Sequence, residues 1–398
     1  MKIAFISRSR DPSLLHIDSD GGGVTILNYA LGLGKRGHDV DIYTSRAVKS
    51  TKAGLYSNLK AATQDKERVA LADHVTVIRK TVNYIGNDYY QHSLDFASNL
   101  DSFERYDIVC IFHPVTAYGL FHLNKVPLSR TVLFPMLISD EYKRFSDISE
   151  KYVEIEKSIF YKASRICSPS RVESEAIMKK GVDSKKIFII HRGFNERIFT
   201  YSRHQIKKKQ KQVMLVCIGA IRPQKQQHIF IEIVKLLLEK GIIPKVRVVG
   251  ENKIFYNEKY EKYYVDLRNK IKKASYENYF EFTGALSQLE ISKILKTSDI
   301  AAFPSVAESF GKAVLEAMAT GIPTIMSNEV GAYEEFSRSQ INSLAVDPDS
   351  KSFANAVLNL LDDPDSYSFL SRECKYLANE FNWDHVTDKL EEFLKSGI

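Results

Sequence analysis

The sequence predicts an α/β protein made of two doubly wound domains, and three observations support this class. Short apolar runs rich in β-branched residues alternate with helical patterns from end to end, and these runs are continuous rather than alternating in polarity. Continuous apolar strands separated by helices indicate parallel sheets that helices cover on both faces. The chain of 398 residues is also longer than one ordinary domain.

The predicted strands fall into two sets. They are 2–7, 39–45, 74–79, 107–112, 131–135, 165–170 and 186–190 in the first set, and 213–219, 245–251, 279–284, 300–305 and 324–327 in the second. Between the sets, residues 201–212 are polar and basic, which predicts a solvated linker. Domains are therefore expected over 1–200 and 201–380. Because ligands bind beyond the carboxyl ends of such strands, two sheets facing each other would form a cleft for them.

The composition limits the classes of function that fit this chain. Hydrophobic residues make up 44% of the chain, and the net charge of +7 fits an anionic ligand without requiring nucleic acid. No run approaches the ~20 apolar residues of a membrane span, so a cytoplasmic protein is expected, with any membrane contact peripheral. Four widely spaced cysteines predict buried free thiols. Of the four Asp-x-Asp pairs, two contain proline and one lies in a predicted strand, so the pattern does not imply a metal.

The stretch ESFGKAVLEAMATGIPTI (308–325) predicts a loop, a helix and a strand. Its apolar run 314–319 is helical, and Gly321 is expected to end that helix. Glu308 then lies in the loop at the carboxyl end of the preceding strand, and Glu316 lies about one and a half turns into the helix. The two carboxylates can therefore contact two parts of one ligand that crosses the helix N-terminus.

Two further loops carry candidate binding residues. Gly22 and Gly23 open a helix after the first strand, where bare amides suit a phosphate or a sugar hydroxyl, although a flexible turn explains them as well. The nearby GLGKRG (32–37) matches a dinucleotide fingerprint but closes a helix, so we interpret it as a C-cap. In CIGAIRPQKQQ, Arg222 and Lys225 precede a helix expected to begin near Gln226, and a solvated basic loop is the alternative.

His113 follows an interior strand in CIFHP, at the sheet edge where active sites collect. Together with the Gly-rich loop and its GHDV turn, with CIGAIRPQK and above all with ESFGKAVLEAMATGIPTI, it resembles the retaining nucleotide-sugar glycosyltransferases of the GT-B fold. These form glycosyltransferase family 4, within the glycosyl transferases group 1. The resemblance covers nearly the whole chain. Residues 381–398 are similar to the family's last helix, which completes the N-terminal domain.

The resemblance implies roles for the residues around the predicted helix. Glu308 is expected to contact hydroxyls of the donor sugar, and Glu316 the ribose hydroxyls of the nucleotide. The amides of Phe310, Gly311 and Lys312 are expected to hold the diphosphate, which a helix N-terminus favours on physical grounds as well.

Three more roles follow from the resemblance. Lys225 is similar to the family's diphosphate-binding lysine, and His113 to the histidine that lines the donor sugar. The loop 283–287, with Leu286, is expected to contact the base. The chain departs from the family where Ala220 follows Gly219, because the family usually has an arginine there. Arg222 or Lys312 is expected to replace the missing cation, and the alternative is that Lys225 acts alone.

The function implied is a metal-independent, retaining glycosyltransferase (EC 2.4 class) without a cofactor. It would move a sugar from a nucleoside diphosphate donor, UDP-linked, to an acceptor hydroxyl in polysaccharide, lipopolysaccharide or other glycoconjugate biosynthesis. Alternatives are a nucleotide-sugar epimerase of similar fold, a phosphorylase with a lysine-bound pyridoxal cofactor, and a non-catalytic sugar-nucleotide-binding protein.

The acceptor, which would be a glycan, a lipid-linked molecule or a small molecule, is expected on the N-terminal domain. Segments 46–73 and 84–106 of that domain are predicted to be rich in loops. Their Tyr84, Tyr89 and Tyr90 either stack on a sugar, meet a lipid or pack within the loops.

Overall fold

The computed structural model describes the residues 1–8, 21–47, 67–84, 88–145, 148–206, 211–251, 258–337 and 345–397. The chain divides into two compact units. The first comprises Met1–Asp140, Ile148–His191 and Trp383–Ile398, and the second comprises Glu141–Asp147 and Arg192–Asn382. Each unit contains one sheet.

The first unit is built on an eight-stranded sheet. Its strands are β1 (Lys2–Ser7), β2 (Asp39–Ala47), β3 (Arg68–Ala72), β4 (Val75–Val82), β5 (Ile108–Phe112), β6 (Thr131–Phe134), β7 (Arg165–Ser168) and β8 (Ile187–Ile189). They lie in the order β3-β4-β2-β1-β5-β6-β7-β8, and every pair except β3–β4 is parallel.

Helices cover both faces of this sheet. They are α1 (Gly21–Lys35), α2 (Tyr89–Ser98), α3 (Pro114–His122), α4 (Ser139–Lys143), which runs into the second unit, α5 (Glu150–Lys162), α6 (Arg171–Lys179) and, at the chain's end, α14 (Trp383–Lys395). In β1, Ile3 and Phe5 belong to one buried cluster, whereas Ala4 and Ile6 belong to another. Because successive strand residues point to opposite faces, both faces of the sheet are buried, which explains the continuous apolar runs.

Helix α14 packs against α1 in the first unit. A Cβ on Gly32 would lie within van der Waals overlap of the Thr387 side chain, so glycine permits the close approach of the two helices. At the solvent edge, Arg36 Nε donates to Asp388 Oδ1 over 3.0 Å. The half-buried contact between His38 Nε2 and Glu391 Oε1 measures 2.8 Å. Apolar packing and charged contacts therefore both anchor α14.

The second unit has a six-stranded sheet whose pairs are all parallel. Its strands are β9 (Gln212–Ile218), β10 (Ile243–Val249), β11 (Phe280–Gly284), β12 (Ile300–Phe303), β13 (Thr324–Ser327) and β14 (Ala345–Val346). They lie in the order β11-β10-β9-β12-β13-β14. Its helices are α7 (Phe230–Glu239), α8 (Glu258–Lys273), α9 (Gln288–Lys296), α10 (Lys312–Thr320), α11 (Tyr333–Phe336), α12 (Ser350–Asp362) and α13 (Pro364–Ala378). The α/β class and the two Rossmann-like parallel sheets predicted from the sequence are confirmed.

Several local predictions are also confirmed. GLGKRG ends α1, and Gly37 takes a positive φ of 79° in the turn before β2. Gly321 ends α10 in the left-handed conformation, with φ 80°. All four cysteines are free and buried.

Other local predictions are wrong. The segment 84–106 is not rich in loops, because it contains α2, which Asp88 caps by accepting from the amides of Tyr90 and Gln91. In 46–73, the described residues include the strand β3. Residues 48–66 and 85–87 lie outside the described part of the chain. The segment 201–206 is not a solvated linker, because Ser202 N donates to Thr320 O over 2.9 Å and His204 and Ile206 are buried. Across the described ranges, no helix combines the length and the apolar character that crossing a bilayer requires.

Candidate functional site

The N-terminus of α10 is shaped by Gly311. This residue is the N-cap, with φ 101°, and no side chain caps the helix. A Cβ at Gly311 would lie 2.7 Å from Val330 Cγ1, so both the positive φ and the available space favour glycine. The first amides of a helix have no partner within it, and the helix dipole is positive at this end. The site is therefore suited to an anion.

Lys225 and Glu308 form an ion pair beside this helix, with 2.9 Å between Lys225 Nζ and Glu308 Oε2. Both side chains are largely buried, at 19% and 17% exposed. Lys225 ends a 3₁₀ turn (Pro223–Lys225) after β9, and Glu308 follows β12 and pairs with Val330 in an isolated bridge. Val306 N donates to Gln224 O over 2.9 Å, and this bond holds the two loops together. The neighbouring strands β9 and β12 thus bring together two residues that are distant in sequence.

Lys312 and Glu316 form a second ion pair, one turn apart on α10. Glu316 is buried, and it lies about one turn into α10 rather than the expected one and a half turns, because the helix begins at Lys312. Gln288 Nε2 lies 3.5 Å from Glu316 Oε1. Gln288 begins α9 directly after Leu286 and Ser287, so the 283–287 loop ends beside Glu316.

The remaining residues predicted for this unit lie in different surroundings. Phe310 is fully buried, and its ring packs against Phe336 at a centroid distance of 5.3 Å, so its side chain belongs to the core. The Arg222 guanidinium carbon lies 5.2 Å from the centroid of the Tyr260 ring, a cation–π contact. The helix expected near Gln226 begins at Phe230, because two 3₁₀ turns precede it.

His113, Gly22 and Gly23 belong to the first unit. His113 follows β5, caps α3 and takes φ 86°, a conformation that is unusual for a residue with a side chain. Its Nδ1 accepts from Val115 N over 3.2 Å, so a neutral imidazole carries its proton on Nε2. Gly22 and Gly23 are buried in the first turn of α1.

The structure therefore brings together Lys225 with Glu308, and Lys312 with Glu316 beside Gln288. Sequence reasoning missed Gln288, although the Ser-x-x-Glu spacing of Ser287 and Glu290 predicts a capping box that places Gln288 in the first turn of a helix. In the parts of the chain that the structure describes, no group of three or more His, Cys, Asp or Glu side chains is arranged to hold a metal ion.

Comparison with known proteins agrees with these features. The family model "Glycosyltransferase Family 4" matches residues 19–197, and "Glycosyl transferases group 1" matches residues 199–379. A D-inositol 3-phosphate glycosyltransferase of Corynebacterium glutamicum (strain R) is 23% identical, covering 100% of this chain and 97% of that protein. An Escherichia coli UDP-Gal:alpha-D-GlcNAc-diphosphoundecaprenol alpha-1,3-galactosyltransferase is 26% identical over 57% of this chain and 58% of its own length.

Solved structures show the same fold. Sucrose-phosphate synthase from Thermosynechococcus elongatus has a TM-score of 0.79 at 18% identity, covering 99% of this chain and 98% of that one. Anabaena Alr3699/HepE in complex with UDP and glucose has a TM-score of 0.73 at 18% identity, and the match covers 100% of both chains. With both family models matching in sequence and both parallel sheets in place, the chain belongs to glycosyltransferase family 4 and has the GT-B fold.

Proposed function

We propose that this protein is a retaining, metal-independent glycosyltransferase that moves a sugar from a UDP-linked donor to an acceptor hydroxyl during glycoconjugate synthesis. The observation that carries the proposal is the pair of lysine–glutamate contacts flanking the uncapped N-terminus of α10. Two relatives support the choice of donor, because the Escherichia coli enzyme is named for UDP-Gal and the Anabaena protein was solved with UDP and glucose.

Each residue of the site has a role in this proposal. Glu308 binds hydroxyls of the donor sugar, and Glu316, with Gln288 beside it, binds the ribose hydroxyls. Lys225 and the first amides of α10 bind the diphosphate. His113, in the first unit, keeps the role that the family resemblance implies, which is to line the donor sugar. The Leu286 loop contacts the base.

The reaction requires that the negative charge developing on the departing diphosphate is stabilised. Lysine ammonium groups and helix amides that are already in position stabilise this charge without reorganisation. Retention is explained by a front-face reaction in which the acceptor attacks from the side of the leaving group, and a donor phosphate oxygen takes the acceptor's proton. No protein side chain is assigned as a base.

Lys312 is our candidate for the cation missing at Ala220. It occupies the first position of α10, and its ammonium group already lies beside the carboxylate assigned to the ribose. Arg222 stays a prediction from the sequence, and its contact with Tyr260 is an alternative explanation of its presence.

Donor turnover tests the proposal. The purified protein is incubated with UDP-glucose or UDP-galactose and a mixture of glycan, lipid-linked and small-molecule acceptors, and proton NMR follows the products. We expect UDP release that depends on acceptor, an unchanged rate with a metal chelator, and a product whose anomeric coupling matches that of the donor. An inverted coupling would contradict retention. Free sugar and UDP formed without acceptor would indicate an epimerase, and UDP binding without turnover would indicate a binding protein.

A further inference from the structure

The ion pair between Lys225 and Glu308 joins two groups that bind different parts of the donor in the proposed function. The atoms Lys225 Nζ and Glu308 Oε2 are 2.9 Å apart, and 19% and 17% of the two side chains are exposed. Side chains with this exposure can be reached by a ligand, yet they lie far enough from water for their charges to need partners. The pair is therefore accessible and sensitive to the chemistry of the ligand that reaches it.

Backbone and apolar contacts position both side chains without the ion pair. The aliphatic part of Lys225 runs across Gly219 at the end of β9, where a Cβ would lie 3.4 Å from Lys225 Cε. The backbone hydrogen bond from Val306 N to Gln224 O joins the two loops over 2.9 Å, and Glu308 forms an isolated bridge with the loop after β13. The ion pair is therefore not needed to hold these loops together.

The second pair of the site, Lys312 with Glu316, also combines one lysine with one glutamate. The four side chains together therefore carry no net charge. A diphosphate that enters the site meets ammonium groups whose charge a carboxylate already offsets. Its attraction then depends on the uncapped N-terminus of α10, which favours anions.

The Glu308 carboxylate responds in opposite ways to two kinds of ligand group. An anion that approaches the Lys225 ammonium also approaches this carboxylate, and like charges at short distance repel each other. A hydroxyl group instead donates a hydrogen bond to the carboxylate. A nucleotide sugar offers both an anion and sugar hydroxyls, whereas a nucleoside diphosphate offers no sugar hydroxyl to Glu308.

The two ion pairs differ in the ligands that they can distinguish. In the proposed function Glu316 contacts the ribose hydroxyls, which UDP and a UDP-sugar both carry. Glu308 contacts hydroxyls of the donor sugar, which UDP lacks. Discrimination between the nucleotide sugar and the nucleotide therefore depends on the pair of Glu308 with Lys225.

We propose that the Lys225–Glu308 pair is a specificity determinant that selects nucleotide sugars over nucleoside diphosphates without a sugar. Its carboxylate weakens the binding of UDP, and the hydroxyls of a donor sugar relieve this effect by donating to the carboxylate. The same carboxylate favours release of UDP once the sugar has moved to the acceptor. This inference rests on the proposed glycosyltransferase function and gives Glu308 a role beyond its contact with the sugar.

Calorimetric titration of the full chain with UDP, UDP-glucose and UDP-galactose measures this effect. Glu308→Gln keeps the shape of the side chain and removes its charge. We expect the variant to bind UDP about tenfold more tightly than the wild type does, on the scale of one hydrogen bond to a charged group. Affinity for the UDP-sugar should stay within about threefold, because the gain at Lys225 and the weaker contact with the sugar offset each other. Unchanged or weaker UDP binding by Glu308→Gln would overturn the proposal.

The gain in UDP affinity should require Lys225. Lys225→Met is expected to weaken UDP binding, and adding Glu308→Gln to this variant should produce no gain, which completes a double-mutant cycle. A gain of about tenfold that persists without Lys225 would show a general effect of removing negative charge and would contradict the proposal.

Glu232→Gln is the matched control in the same unit. It removes one carboxylate and breaks a lysine–glutamate pair on α7, in which Lys235 Nζ lies 3.0 Å from Glu232 Oε1. The change in net charge is the same as in Glu308→Gln, but UDP affinity should equal that of the wild type. Equal gains in the two variants would contradict a specific role of the Lys225–Glu308 pair.

Thermal unfolding shows whether the variants fold. Glu308→Gln leaves the Lys225 ammonium without its carboxylate and should lower the Tm. One fixed concentration of UDP should then raise the Tm of the variant more than that of the wild type, because tighter binding stabilises more. If Glu308→Gln does not fold, Glu308→Asp replaces it, since the shorter side chain keeps its charge and weakens the pair. Its UDP affinity should exceed that of the wild type, and an equal or lower affinity would overturn the proposal.

Pyrophosphate separates this inference from the donor assignment, because it carries a diphosphate without a nucleoside. Glu308→Gln should bind it about tenfold more tightly than the wild type does, again only when Lys225 is present. If pyrophosphate shows this gain and UDP does not bind, the nucleotide assignment fails and the pair still controls anion binding. If UDP binds and neither ligand gains affinity in Glu308→Gln, the donor assignment stands and this inference fails. If neither ligand binds to either protein, both fail.

Discussion

Lys312 and Glu316 are each other's charge partners in the second unit, with side chains 13% and 7% exposed. Charges this far from water are stable only when they are paired. In the proposed function the same two groups contact the diphosphate and the ribose. The pair is therefore expected to contribute to both folding and donor binding, and these contributions can be separated by substitution.

Replacing Lys312 alone should destabilise the protein. Lys312→Met leaves the Glu316 carboxylate buried and unpaired, and we expect the free energy of unfolding to fall by about 3 kcal/mol. Adding Glu316→Gln removes the unpaired charge and should restore most of that loss, while UDP affinity stays weak in the double variant. Denaturant unfolding and calorimetry measure the two quantities. A double variant as unstable as the single one would show that the pair does not account for the loss.

Arg222 and Lys312 differ in their expected effect on catalysis. Lys225→Ala removes a diphosphate cation and should slow turnover roughly 100-fold, the usual cost of one group that stabilises a developing charge. Lys312→Met should slow turnover to a similar degree, whereas Arg222→Ala should change it by no more than a few-fold, because the Arg222 guanidinium packs on Tyr260. Steady-state rates at saturating donor decide this point. If Arg222→Ala is as slow as Lys225→Ala, Arg222 is the substitute cation.

The contact between α14 and His38, in the turn after α1, depends on the ionisation of Glu391. The Lys395 ammonium, 2.6 Å from Glu391 Oε1, and then the His38 ring hold the pKa of Glu391 below its ordinary value of 4.5. A carboxyl whose pKa is lower in the folded state stabilises the fold above its unfolded pKa. This stabilisation is lost as the pH falls below 4.5 through the lower, folded pKa.

Glu391→Gln should therefore make the free energy of unfolding depend less on pH in the acid range. At neutral pH the variant is expected to be less stable than the wild type, and the two should converge as the pH falls below 4.5. Urea unfolding across this range measures the effect. Glu392→Gln, an exposed neighbour on the same helix, is the control and should follow the wild-type curve. If the free energies of unfolding of the wild type and of Glu391→Gln changed in parallel with pH, Glu391 would not have this role.

The elements that the sequence predicted well are those with continuous apolar runs, since such runs leave few alternatives to a buried parallel strand. The antiparallel strand β3 was missed because its residues RVALA are half exposed, so it lacks a buried run. Helix α2 is hard to predict because its aromatic residues are equally typical of a loop, and Asp88 is the one capping signal at its start.

The contacts of the candidate site also differ in how far the sequence predicts them. The i,i+4 spacing of Lys312 and Glu316 makes their contact predictable once a helix is recognised. The contacts of Lys225 with Glu308 and of Gln288 with Glu316 join separate strands and helices, and only the order of strands in the sheet brings them together.

For the whole molecule, family membership establishes a glycosyltransferase fold, whereas the donor, the acceptor and the stereochemistry are proposals. A contact with a membrane surface also stays a prediction from the sequence. The account of charge stabilisation depends on the donor assignment, because the charge is proposed to develop on the departing nucleotide.

Calorimetric titration with UDP tests this central assignment most directly. We predict that the wild type binds UDP without added metal and that Glu316→Gln weakens binding about tenfold, since a charged partner of the ribose hydroxyls is lost. Glu239→Gln, at the exposed end of α7 in the same unit, should bind like the wild type. A wild type that does not bind UDP, or a Glu316→Gln variant that binds it with unchanged affinity, would contradict the account.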